Sequence, residues 1–196
     1  MSQFKKISAA VPAVLLASTA SGACIPINGT VNATPDPTCQ IVNAASGIAT
    51  SEAMDILIAS VRPSAEVCLS IAANIAPPKN GQVTGYSGLT SVPVAGSFGV
   101  TNTPLVYPSG GVRTNLMGFT SLAVLTTTIG IGSKELSGKL VTKDTGTIDL
   151  STGVVGQILQ VVGGTGDFAG ATGIIAVAGQ EVGGAAGFTG QVCTPD

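Results

Sequence analysis

The chain carries ten Asp and Glu side chains and no histidine, which limits the catalytic arrangements it can assemble. Ser-His-Asp and Cys-His nucleophile systems need an imidazole to take the proton, so neither can be assembled. The acids Asp144, Asp149, Asp167 and Glu181 fall near the ends of predicted strands, where a solvated turn is the ordinary environment of a carboxylate. Asp144 and Asp149 flank a Thr-Gly-Thr turn and have the charge to touch a cation together, but the dense Asp/Asn loop that calcium requires is missing. The four cysteines form no CxxC pair, and zinc has no histidine to complete its set. Neither a metal nor a cofactor is expected.

Gly164-Thr165-Gly166-Asp167-Phe168-Ala169 formally satisfies G-x-G-x-x-A after a strand, with Glu181 downstream. A dinucleotide site also needs a helix after the glycines and further parallel strands. Only 27 residues follow Ala169, and Gly-Gly and Gly-Phe steps interrupt any helix among them. Gly163, Gly164, Gly166 and Gly173 therefore read as a tight turn between two strands that needs positive φ. Nucleic acid is excluded on charge: the formal net charge is −2, and the only basic cluster is Lys5-Lys6.

That lysine pair begins an export signal. Lys5-Lys6 is the positive start, Ile7 to Ala20 the apolar run, and Ser21-Gly22-Ala23 a small-x-small cleavage site, so residues 1–23 are expected to be removed. What remains has six basic against ten acidic side chains, a net −4, and is expected to be secreted or held in the cell envelope. Cys24 follows the cleavage site directly, which raises lipidation. The Leu usual three positions before such a cysteine is absent, and Cys24, Cys39, Cys68 and Cys193 make an even set able to form two disulfides. Three pairings are open. Cys24 with Cys39 is favoured for locality, and Cys68 with Cys193 for stapling the N-terminal region to the last strand.

The elements that must position these groups fall into three textures. Residues 24–40 read as a Pro/Asn/Thr-rich loop. Residues 41–76 are rich in Ala, Ile and Val, and two short helices are expected, Ser51 to Val61 and Ser64 to Ile75, separated at Arg62-Pro63. Together residues 24–78 form an N-terminal loop and helical segment, closed by Pro77-Pro78. From residue 79 to 196 the texture is strand and turn. In Glu135 to Lys143, Leu136, Gly138, Leu140 and Thr142 alternate with Glu135, Ser137, Lys139 and Lys143, so one face is buried and one is wet. Similar runs at Gln82–Tyr86, Thr90–Phe98, Thr120–Ile131, Thr145–Leu150, Val155–Val162, Ala171–Ala178 and Phe188–Cys193 make about eight strands, spaced as an antiparallel meander. Closing such a sheet removes its exposed edges, so the fold class is mainly β: an eight-stranded antiparallel closed barrel preceded by a short helical segment.

Val161-Val162-Gly163-Gly164-Thr165-Gly166-Asp167-Phe168-Ala169-Gly170-Ala171-Thr172-Gly173, with the strands before it, resembles the C-terminal half of the allene oxide cyclase and dirigent barrel superfamily over residues 115–193. The ending Phe188-Thr189-Gly190-Gln191-Val192-Cys193 looks closest to its secreted bacterial branch. The resemblance implies an eight-stranded barrel, often trimeric, whose apolar interior in some members holds a reactive organic molecule. Thr172 stands where plant relatives carry arginine and Asp167 where they carry a lysine-like residue, so their catalytic residues do not transfer.

Phe119, Leu140, Phe168 and Phe188 are the expected ligand-contacting side chains, and Tyr86, Tyr107 and Phe98 are expected to join the aromatics filling the barrel. Three functions fit: a secreted non-enzymatic barrel that binds a small apolar molecule or serves as a surface module, a cyclase-like isomerase steering a reactive molecule, and a self-assembling or adhesive envelope protein. The expected interior is small, largely apolar and without a convergent ionisable pair. Two ionisable side chains facing one another there would turn the preference from inert binding toward catalysis.

Overall fold

The computed structural model describes residues 22–45, 48, 67–92 and 116–195. Eight antiparallel strands close into a barrel in chain order: β1 Cys24–Pro35, β2 Val67–Ile75, β3 Gly81–Val92, β4 Leu116–Ile131, β5 Lys134–Asp149, β6 Val154–Gly164, β7 Thr172–Gln180 and β8 Ala186–Cys193. β1 pairs with β8, so no strand is left with an open edge. A five-residue helix, α1 (Ile41–Ala45), follows β1.

The closed eight-stranded architecture is the expected one, but its strands are drawn differently from the chain. The runs Glu135–Lys143 and Thr145–Leu150 are one strand, β5, and Gln82–Tyr86 continues without a break into the first residues of Thr90–Phe98 as β3. Two strands come instead from residues expected as loop and helix. Residues 24–35 are not a loop: the order Ile25, Ile27, Val31, Ala33 buried against Pro26, Asn28, Thr30, Asn32 exposed is strand alternation, with proline and asparagine on the wet face. Nor is Ser64–Ile75 a helix within the described residues. Leu69, Ile71, Ala73 and Ile75 are buried in alternation with Ser70, Ala72 and Asn74, and the small residues between them blur the period of two. The expected helix Ser51–Val61, residues 93–98 of the expected strand Thr90–Phe98, and the export signal up to residue 21 lie outside the described residues.

Parity decides what faces inward. Odd positions on β1, β2, β3, β4, β6 and β7 and even positions on β5 and β8 point into the barrel and form one continuous core, with Ile27, Ile71, Leu125, Ile129, Leu140, Leu159 and Val177 among its members. A second, smaller core lies outside the wall. There Ile41 and Ala45 of α1, with Ile48, pack on Leu122, Val124 and Val141. Tyr86 belongs to this outer cluster and so does not fill the barrel, while Phe98 and Tyr107 lie outside the described residues.

The disulfides are Cys24–Cys193 and Cys39–Cys68, which replaces the favoured pairing. The reason is extension. A twelve-residue strand at about 3.3 Å per residue carries Cys39 roughly 40 Å from Cys24. Cys24 instead stands opposite Cys193 in the β1–β8 register, so the bridge sits on the seam that closes the barrel and engages the sulfur that lipidation would need. Cys39–Cys68 ties the chain entering α1 to β2.

Candidate functional site

All eight strands contribute to a central cavity of ≈ 70 Å³. Its wall is mostly Ile, Leu, Val and Ala, and Phe119, Leu140 and Phe188 are part of it, so three of the four expected ligand-contacting residues come together there. Phe168 does not reach the cavity. It is wholly buried in the barrel core beneath the β6–β7 connection.

Two carboxyl groups enter this apolar space. Asp144 sits on the inward parity of β5, four residues after Leu140, and is 3% exposed. Glu181 follows the last residue of β7 on the same parity as Ile175 and Val177 and is 5% exposed. The interior therefore does hold a pair of ionisable side chains, against the expectation of an interior without one. Asp144 is not a solvated turn acid, because β5 runs on past it to Asp149.

Each carboxyl is oriented by a neighbour on the adjoining strand. Ser121 of β4 is the register partner of Asp144, and its hydroxyl donates to Asp144 Oδ2 at 2.9 Å. Gln157 of β6 donates its amide to Glu181 Oε2 at 2.7 Å. Backbone contacts fix Glu181 further: the Ala33 N–H donates to its carbonyl at 2.8 Å, and Val182 bridges to Ala33, which ties the β7–β8 connection to β1. Asp144 Oδ1 has no hydrogen-bond partner, and neither does Thr142 Oγ1 two residues before it.

Burial drives the electrostatics. Desolvation pushes the Asp144 carboxyl up to about 7, against a weaker downward pull from the neighbouring hydroxyls, Thr142 first and then Ser121; the Thr142 contact falls short of a well-formed hydrogen bond. Glu181 is also pushed up to about 7, first by desolvation and then by repulsion from Asp144. Near neutral pH the pair can therefore both hold and release protons, which is the condition for general acid–base work.

Asp144 and Asp149 do not converge on a cation. They have opposite parity, and Asp149 Oδ1 accepts from the backbone N–H and hydroxyl of Ser151 at the strand's end. Among the described residues no group of three or more potential metal-ligating side chains occurs.

The glycine motif is a clamp. Gly163 and Gly164 end β6, a three-residue 3₁₀ turn covers Gly166–Phe168, and Gly173 lies in β7. Of the four glycines, Gly166 alone takes the left-handed φ that a tight turn demands, at 63°; Gly163 and Gly164 have no positive φ, and Gly173, at 159°, is close to extended. A Cβ at Gly164 would strike the backbone of Lys139 and Phe168. Asp167 Oδ2 accepts the Ser137 N–H at 2.8 Å, and Thr165 exchanges bonds with Lys139, its N–H donating at 2.8 Å and its hydroxyl accepting at 3.2 Å. The turn thus folds back onto β5 and seals Phe168 beneath it. No helix follows the glycines that would meet a pyrophosphate. Asp167→Ala is expected to cost about 1 kcal/mol in urea unfolding, with Asp167→Asn retaining most of it; an unchanged midpoint in the alanine variant would show that the clamp carries no stability.

Sequence reasoning missed Asp144 and Glu181 as a pair, although each continues the inward parity of its strand. The two disulfides are compatible with a location outside the cytoplasm, and among the described residues no helix is long and apolar enough to cross a membrane. Comparison of the chain with protein-family models, curated proteins and solved structures gives no match.

Proposed function

We propose that this protein is a secreted barrel that takes a small, largely apolar molecule into its interior. The observation that carries this reading is the central cavity: its ≈ 70 Å³ far exceeds the roughly 10–15 Å³ that one water needs. An eight-stranded barrel is just wide enough for one small ligand. Filling the space tests it. Ala123 lines the cavity, and Ala123→Phe is expected to abolish binding of a small neutral apolar probe followed by calorimetry, while the folded barrel persists by circular dichroism. Unchanged probe affinity in the filled variant sinks the reading.

The carboxyl pair favours a second reading over an inert surface module: an isomerase or cyclase that moves a proton on the bound molecule. Asp144 and Glu181 line the same apolar wall, each braced by one hydrogen bond, with values near 7 that let one group give a proton while the other takes it. Turnover of this kind is expected to vanish in Asp144→Asn and in Glu181→Gln, whereas binding survives in both.

A further inference from the structure

We infer that the interior recognises an apolar molecule carrying a primary or secondary amine, whose ammonium group is held by Asp144 and Glu181. This rests on the ligand-binding reading and narrows it to a chemical class. Asp144 projects from β5 and Glu181 from the β7–β8 connection into one cavity. The other polar groups lining it are Ser87 of β3, Ser121 and Thr127 of β4, and Gln157 of β6, with no lysine or arginine among the described lining residues. Negative charge in this space therefore has no fixed counter-charge.

One oxygen of each carboxyl is already engaged, Asp144 Oδ2 by Ser121 and Glu181 Oε2 by Gln157. Asp144 Oδ1 is buried in a cavity-lining side chain and makes no well-formed hydrogen bond; the Thr142 hydroxyl, itself without a well-formed partner, influences the carboxyl but brings no charge to it. An unpaired buried acceptor is costly, and a charged N–H group answers both the missing bond and the missing charge. A ligand carboxylate would meet repulsion. An alcohol would supply a donor without charge. The hydrocarbon wall takes the rest of the molecule by apolar burial.

The ammonium and a proton compete for the same oxygens, which gives the binding a pH signature. Below neutrality the pair is protonated, so a protonated amine entering the cavity displaces roughly one proton to solvent; above neutrality little is released. Affinity for the amine rises with pH across that range.

The test is titration calorimetry of the full chain with n-butylamine, n-butanol and butyrate at pH 6 and pH 8, in two buffers of different ionisation enthalpy. At pH 8 the amine is expected to bind at least about tenfold more tightly than the alcohol, with butyrate unbound, and at pH 6 the amine is expected to release about one proton. In Asp144→Asn/Glu181→Gln the amine and the alcohol are expected to bind alike. Equal affinity for amine and alcohol in the parent, or no proton release at pH 6, overturns the amine assignment and leaves the apolar-ligand reading standing. Failure of all three probes to bind removes both. Should the double variant not fold, the proton release of the parent still decides.

Discussion

Unfolding of the Cys24→Ser/Cys193→Ser protein is expected at a free energy roughly 5 kcal/mol below that of the parent, whereas Cys39→Ser/Cys68→Ser is expected to lose about 3.5 kcal/mol. The difference follows from the loops that the two bridges close, 169 and 29 residues in sequence separation. A cross-link over a longer loop removes more conformations from the unfolded chain. Position adds to length. Cys24–Cys193 spans the β1–β8 seam, the pairing with the greatest sequence separation in the barrel, and opening it would expose two strand edges at once. Cys39–Cys68 holds only the approach to α1 and its outer cluster against the wall. Guanidinium unfolding of the two double variants beside the parent checks the order. A larger loss from the Cys39/Cys68 pair than from the Cys24/Cys193 pair would refute the seam's role.

The barrel was legible because glycine-bounded alternation over residues 116–193 has a period of two that side-chain chemistry cannot disguise. In β5, Leu136, Gly138, Leu140 and Thr142 occupy the inward face that their spacing predicts. Less legible were the first two strands. Proline and asparagine on the wet face of β1 mimic a loop, and the alanines and serine of β2 mimic a helix, because small residues fit either period. The disulfide pairing failed with β1, since locality in sequence becomes distance once the intervening residues are extended. The carboxyl pair was hidden by an early stop. Breaking the strand at Asp144, on the strength of Thr145-Gly146-Thr147, takes the acid off the inward face, yet Gly146 pairs with Gln157 inside a continuous strand. Carrying the parity of Leu140 and Thr142 two residues further puts Asp144 inside, and carrying that of Ile175 and Val177 beyond Gly179 does the same for Glu181. Their meeting is a property of closure, which brings β5 and the end of β7 around one cavity, and no local pattern encodes it.

At pH 8, Asp144→Asn is expected to be more stable than the parent by an amount of order 4 kcal/mol, and at pH 4 the two are expected to be nearly equal. The sign follows from where the protons sit. In the folded barrel burial raises Asp144 from 3.8 to about 7, and burial with repulsion raises Glu181 from 4.5 to about 7. Between the unfolded and folded values the native state holds protons that the unfolded chain has already released, so the parent loses stability as pH rises through roughly 4 to 7 and levels off above. About three pH units at ~1.4 kcal/mol each set the scale for Asp144. The pair titrates as a unit, so removing either charge also relieves the other, and Glu181→Gln is expected to shift stability in the same direction. The amide of Asp144→Asn is close in shape to the carboxyl and keeps an oxygen able to accept from Ser121, which separates the charge from the packing. Urea unfolding of parent and variant from pH 4 to 8 gives the difference directly. Parallel pH profiles would mean that Asp144 is not desolvated in the folded state. A diverging profile would instead mark a barrel that gives up stability at neutral pH to keep two carboxyls in a hydrocarbon interior, a cost that structural packing alone does not explain and an occupant supplying positive charge would offset.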